Sequence, residues 1–278
     1  MATPILYEQH MHTPLCKHAQ GDPEEYADEA AERGLKGIVV TCHNPIDEEW
    51  SPWARMDVDQ LDEYVALVER ARGRCAGRVD VRLGMESDYY PGAERWLEKL
   101  HSMASFNHVI GSVHVHLDDY QKRYFTGSFD ELVATYFDHV AMSAETGLFD
   151  TLGHPDLVKN IAPEEWEFGR HEEVVCRALD RIAATGVAME LNTSGLRKKL
   201  PEMNPGPEML RAMRARDIPV VMGADAHAPE RVAAFFEEAL DGLAAAGYEQ
   251  VSIFLERERR ELPIAAARAS LKERAVTD

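Results

Sequence analysis

Apolar, strand-like runs alternate with helix-like stretches along this chain, and seven of the runs close on a polar residue: His12, His43, Glu86, His114, His154, Asn192 and Asp225. Strands separated by helices pair in parallel, and seven or eight such units favour closure into a barrel over an open sheet. The C-terminal ends of the strands form the active-site face of such barrels, so these residues are expected to meet at one mouth. Metal-ligand residue types recurring there are hard to explain by packing. They point to a polynuclear metal site and hydrolytic chemistry.

The spacing predicts strands over 5–12, 37–43, 79–86, 107–114, 149–154, 187–192 and 218–224. The first helix opens on Asp22 as N-cap with Pro23 behind it, and Gly34 stops it. Further helices are predicted over 59–73, 93–103, 128–146, 163–185 (opened by Pro163), 207–216 and 229–246. A strand-like run over 251–255, a charged stretch over 256–261 and a last helix to about Glu273 complete the chain. The polar segment 44–57, which carries Trp50 and Trp53, is long enough to act as a lid.

At 278 residues, 45% of them hydrophobic, the chain can bury a large core, and without a linker or a shift in composition one domain over 1–278 is expected. A formal net charge of −19 argues against a nucleic-acid surface, which needs clustered Lys and Arg. Any phosphate must be drawn by local cations, and bound metal ions supply these inside an acidic envelope. Cys16, Cys42, Cys75 and Cys176 make no Cys-x-x-Cys pair, so neither a zinc ribbon nor a redox motif is present. The opening MATPILYEQHMH has no positively charged leader, and no apolar segment nears the ~20 residues of a membrane span. A soluble cytoplasmic protein, off the membrane, is expected.

His10 and His12 stand two apart on a strand, so both imidazoles face one side and can hold one metal. Glu86 ends a buried strand, where a carboxylate needs a cation or a metal, and its two oxygens suit it to bridge two ions. His114 closes the fourth strand, with His116 beyond it free to reach substrate or solvent. His154 is biased towards extended backbone by Pro155. Asp225 and His227 mirror the first motif with an oxygen donor added. Mixed imidazole and carboxylate donors suit zinc, manganese or iron better than magnesium or calcium.

Gln9-His10-Met11-His12 with His18, Thr41-Cys42-His43, Gly153-His154-Pro155-Asp156 and Asp225-Ala226-His227 resemble, in order, the motifs of the polymerase-and-histidinol-phosphatase (PHP) family. The segments 13–18, 110–114 and 192–197 are similar to its histidinol-phosphatase branch. The resemblance runs from about His10 to His227 and implies a distorted seven-stranded (β/α) barrel. It also implies three cation positions: His10, His12, Glu86 and Asp225 at the first, Glu86, His114 and His154 at the second, and His18, His43 and His227 at the third. Lys159, where the branch leads one to expect arginine, and Arg197 match its phosphate-binding positions. The implied reaction is hydrolysis of L-histidinol phosphate by water activated at two to three divalent transition-metal ions, with Asp225 and His116 as candidate proton donors to the leaving oxygen. Trp50, Trp53 or Tyr89 could receive the imidazole of such a substrate.

Two other readings share parts of this pattern. Another small phosphate ester could be the substrate of the same site. An amidohydrolase also begins with His-x-His on a barrel strand, but it usually needs a bridging lysine at the end of a central strand, where this chain has Glu86 and His114. A proofreading accessory module attached to a polymerase is disfavoured by the net charge of −19.

Overall fold

The computed structural model describes residues 3–125 and 127–272. In chain order the elements are β1 (Tyr7–Glu8), α1 (Pro23–Glu32), β2 (Gly37–Val40), α2 (Leu61–Cys75), β3 (Asp80–Leu83), β4 (Met85–Asp88), α3 (Glu94–His101), β5 (Val109–Ser112), α4 (Asp118–Tyr124) and α5 (Phe129–Glu145). They continue with β6 (Thr151–Leu152), α6 (Phe168–Thr185), β7 (Ala188–Asn192), α7 (Pro207–Arg214), β8 (Val220–Gly223), α8 (Phe236–Ala245), β9 (Gln250–Leu255), β10 (Glu258–Pro263) and α9 (Ile264–Ser270).

The fold is mixed α/β with parallel strands. A three-stranded sheet has the order β1-β2-β3, and a seven-stranded sheet runs β10-β9-β8-β7-β6-β5-β4 with only β10 antiparallel. Two isolated parallel bridges link the sheets: Met11 to Ala226, just beyond the ends of β1 and β8, and His43, just beyond β2, to Glu86 within β4. His12 N donates to Ala226 O at 2.9 Å, and Asn44 N donates to Glu86 O at 2.9 Å. These bridges fall among the expected ligands, so the backbone itself sets the spacing of the site.

The expected strand over 79–86 is two strands. β3 pairs with β2 and β4 with β5, and the handover comes at Gly84, whose amide donates to Val40 O at 2.7 Å. A Cβ there would lie 2.7 Å from Thr41 Cγ2 and 2.8 Å from His108 O, so only glycine fits.

Helix starts fall where caps dictate. Asp22 and Glu25 form a capping box at α1, and Ser128 with Glu131 forms another at α5. The helix expected from Pro229 begins only at Phe236, because Ala233 and Phe235 are left-handed (φ 51° and 61°) and the Ala233 amide donates to Glu8 Oε2 at 2.9 Å. The helix expected from Pro163 begins at Phe168, since the amides of Glu165 and Trp166 both turn back to Ala162 O.

The charged stretch over 256–261 is largely β10, an edge strand that pairs with β9 through Glu256 and Arg257, both at positive φ as a tight hairpin requires. Its charges suit an edge, which they protect from further pairing. Helix α4 has no counterpart in the sequence expectation. The last helix ends at Ser270, and the expected end at Glu273 lies outside the described residues. Among the described residues no helix is long and apolar enough to cross a membrane.

Candidate metal centre

Glu86, on β4, lies at the centre of the strand ends and is fully buried. Its Oε1 is approached by His154 Nε2 at 3.1 Å, His114 Nε2 at 3.3 Å and His10 Nε2 at 3.4 Å, and it accepts from Ser112 Oγ at 2.6 Å. Its Oε2 faces His43 Nδ1 at 2.8 Å and His12 Nε2 at 3.7 Å. Asp225 Oδ1 lies 3.0 Å from His12 Nε2 and 3.8 Å from His10 Nε2. At the outer edge, His18 Nε2 and His227 Nε2 are 3.0 Å apart. All nine expected ligands thus meet in one volume.

Side chains not singled out in the sequence hold several of these rings. His10 Nδ1 donates to Glu190 Oε1 at 2.7 Å and His114 Nδ1 to Asp88 Oδ1 at 2.6 Å, which turns each Nε2 towards Glu86. Asp88 is itself fixed by Arg55 at 2.6 Å and Trp50 Nε1 at 3.2 Å. Glu8 accepts from the amides of Ala224 and Ala233, both at 2.9 Å, and so shapes the turn that carries Asp225. Their signal was strand parity: Glu8, Glu86-x-Asp88 and Glu190-x-Asn192 share faces with the expected ligands.

Two of the expected ligands sit on strained backbone. His154 and Asp225 have φ of 28° and 50°, rare for non-glycine residues, and such strain clusters at functional sites. The extended backbone expected of His154 from Pro155 is therefore overridden. Its amide donates to Glu190 Oε2 at 2.8 Å and its carbonyl accepts from Leu157 N at 3.0 Å.

The donor set fits a group of cations. His10 Nε2 is buried with no hydrogen-bond partner, and His43 Nδ1 and Glu86 Oε2, 2.8 Å apart, meet without hydrogen-bond alignment; a buried polar atom left so costs about 1–3 kcal/mol unless something occupies it. Burial alone would raise the Glu86 carboxyl, yet the charges of His43, His10 and His114 outweigh it and hold it well below the usual carboxylate range. Burial likewise opposes ionisation of Asp225, and His10 and His12 overcome it in the same sense. Burial lowers His114, but Asp88 and Glu86 carry it up to about 10. Carboxylates that gather protons onto neighbouring imidazoles are a site short of positive charge, which metal ions would supply while displacing those protons.

Above the cluster opens a cavity of about 400 Å³ whose lining includes His18, His43, His114, His116, Asp225 and His227. The structure does not bring the two expected phosphate-binding residues to it. Lys159 is fully buried, and its ammonium donates to Asp156 Oδ2 at 2.9 Å, Glu202 Oε2 at 2.9 Å and Met203 O at 2.6 Å, so its three protons are all engaged. Arg197 lies 4.8 Å over the Phe235 ring and lines a separate cavity with Arg33. Lys198 and Arg231 line the main cavity instead. Lys198 is one position along the same Arg-Lys-Lys run, a shift that spacing alone could not resolve.

The three aromatic candidates separate clearly. Trp50 is buried, stacked on Tyr90 at 4.0 Å, and Tyr89 is buried with its hydroxyl donating to Glu94. Trp53 is 60% exposed and lines the cavity, so it is the one available to a ligand.

A model of the PHP domain matches residues 8–194. The chain belongs to the PHP family. Asp225, His227, Lys198 and Arg231 lie beyond the span of that PHP match. A Deinococcus radiodurans protein named as a probable histidinol-phosphatase is 39% identical over 257 residues, which cover 89% of this chain and 96% of that protein. The histidinol-phosphatase of Bacillus subtilis is 27% identical over 260 residues, covering 84% of this chain and 97% of the relative. Among solved structures, the histidinol phosphate phosphatase of Lactococcus lactis, complexed with zinc, L-histidinol and phosphate, superposes with a TM-score of 0.78 at 18% identity, over 91% of this chain and 98% of that one. The PHP match, the relatives and the fold agree.

Proposed function

We propose that this PHP-family chain is a metal-dependent phosphomonoesterase that hydrolyses L-histidinol phosphate to L-histidinol and phosphate, a step of histidine biosynthesis. The observation that carries the reading is the cluster of buried, unpartnered donors around Glu86 at the floor of an open cavity. The names of the relatives at 39% and 27% identity support the substrate.

His10, His12, Glu86 and Asp225, then Glu86, His114 and His154, then His18, His43 and His227 would hold two to three zinc, manganese or iron ions. Bound there, the ions would neutralise the phosphate dianion and make water acidic enough to be nucleophilic near neutral pH. Lys198 and Arg231, at the cavity, take over the phosphate-oxygen role first given to Lys159 and Arg197. Trp53 offers its exposed face to the substrate imidazole. Asp225, held ionised among imidazoles, serves as a ligand rather than a proton donor. His116 lines the rim and is exposed, and the charge on His114 beside it disfavours its protonated form, so it would relay a proton from solvent rather than store one.

We read the two sheets as one distorted seven-stranded barrel in a single domain, supported by the bridges Met11 to Ala226 and His43 to Glu86. A cytoplasmic location away from membranes and nucleic acid accords with four unpaired cysteines and the net charge of −19. The test is phosphate release from L-histidinol phosphate before and after chelation, beside a panel of generic phosphate esters. Turnover should favour histidinol phosphate and vanish on chelation. A flat response across the panel would refute the assignment.

A further inference from the structure

At the outer edge of the cluster, two imidazoles face one another in an arrangement that a cation resolves. His18 Nδ1 donates to Cys16 O at 2.7 Å and His227 Nδ1 donates to Asp225 O at 3.0 Å. A carbonyl oxygen only accepts, so both Nδ1 atoms carry protons, and in the neutral rings both Nε2 atoms present lone pairs. Those lone pairs point at each other across 3.0 Å.

The third donor in reach is sulfur. The ligand atoms of Cys16, His18 and His227 all lie within 4.8 Å of one another, and Cys16 is buried. His43, assigned to this position by family resemblance, is grouped with His12 and His227, and its ring lies 5.3 Å from that of His18, so the sulfur adds to the imidazoles there. Cys16 closes a short turn over Pro14–Cys16, and Lys17, at φ 71°, folds the chain back so that the Cys16 carbonyl meets the His18 ring. Behind it, the ligand atoms of His12, Cys16 and Cys42 form a second trio, in which the Cys16 sulfur lies within reach of the His12 ring, itself 1% exposed. The sulfur therefore lies between two sets of nitrogen donors.

We propose that Cys16 is a sulfur donor at the outer cation position, beside His18 and His227, and that this position takes a thiophilic divalent ion of the zinc class. The proposal rests on the reading of the cluster as a cation site. Binding forms a sulfur-metal bond as the S–H bond breaks, and the proton leaves to solvent. Thiolate donors select zinc over manganese, whereas the carboxylate and imidazole donors around Glu86 accept harder ions, so the outer and inner positions differ in metal preference.

Cobalt(II) titrated into the metal-depleted full chain reads the donor directly. A thiolate ligand adds an intense near-ultraviolet charge-transfer band that imidazole and carboxylate do not. The band should appear in the unmodified protein, disappear in Cys16→Ser and persist in Cys42→Ser. Loaded protein without the band, or a Cys16→Ser variant that keeps it, overturns the proposal. Should Cys16→Ser not fold, zinc-edge X-ray absorption of the unmodified, zinc-loaded chain decides. A sulfur scatterer at about 2.3 Å is expected, and a shell of nitrogen and oxygen alone refutes the sulfur donor. Phosphate release from histidinol phosphate is scored on the same samples. Turnover without the band sinks the sulfur donor and leaves the phosphatase reading; the band without turnover does the reverse.

Discussion

The inner and outer halves of the cluster are built from the same residue type by different means. Around Glu86 the rings of His10, His114 and His154 are buried, and the Nδ1 atoms of His10 and His114 lean on carboxylates from other strands, Glu190 and Asp88. At the rim His18 is exposed, and both His18 and His227 lean on main-chain carbonyls two residues away. The inner half is therefore fixed by the sheet, and the outer half by the local turns of two loops. Ring orientation inside survives loop motion, while orientation outside depends on it.

Removing the central carboxylate, Glu86, should break this contrast most severely. Glu86→Gln should lower turnover on the order of 10³-fold and empty the inner positions by elemental analysis, whereas His18→Ala should cost a single ion at most. Equal metal loss in the two variants would erase the distinction. One layer out, Asp88→Asn and Glu190→Gln should each weaken metal affinity by about 10–100-fold, measured by competition with a chelator. If neither changes affinity, the carboxylates behind His10 and His114 do not set the inner half.

The same contrast separates two lysines. Lys159 is enclosed with Asp156 and Glu202, and Lys159→Met should destabilise the fold by about 3–5 kcal/mol in urea, leaving the KM of the folded enzyme unchanged, because the buried Asp156 carboxylate loses its cation and the half-buried Glu202 loses its partner. Lys198→Met, at the cavity, should raise KM and spare stability. A smaller effect is expected at the mouth. Trp53→Ala should cost about 10-fold in kcat/KM on histidinol phosphate, the scale of one aromatic contact, and little on an ester without a ring. A parallel loss on both esters would remove Trp53 from recognition.

The convergence of eight of the nine expected donors was legible because parity and strand endings are local signals, whereas His18, in a loop, entered only through the family resemblance. His-x-His on a strand puts both rings on one side whatever the rest of the chain does, and Glu86 at the end of an apolar run has few inexpensive fates. Elements framed by caps, such as α1 and α5, were legible for the same reason. What escaped depends on contacts distant in sequence. Glu8 takes the Ala233 amide and so delays α8 to Phe236, and nothing near Pro229 announces that. Lys159 and Lys198 differ in which of them meets Glu202, and β10 reads as a charged tail until β9 stands beside it.

Without changing a residue, pH gives the mildest test of the contrast, because it acts on stability rather than on chemistry. In the ion-free fold, burial lowers His12 and His114, but Asp225 and Glu86 around the first, and Asp88 and Glu86 around the second, carry them up to about 9 and about 10. A group raised above its unfolded value stabilises the fold fully below that value, about 6.5 for histidine, and loses the contribution as pH climbs through the folded one. Chelated protein should therefore lose stability between about pH 6.5 and 10. Glu86 and Asp225 are shifted the opposite way, so their contribution is present above the ordinary carboxylate range and fades in acid. With zinc bound, the ion replaces the protons on His12 and His114, and the alkaline slope should flatten. Urea midpoints of chelated and zinc-loaded samples across this window measure both slopes. A chelated protein whose midpoint holds steady to pH 10 would mean that the inner cluster is not held by protons, and the inner half would then need no cation to stand.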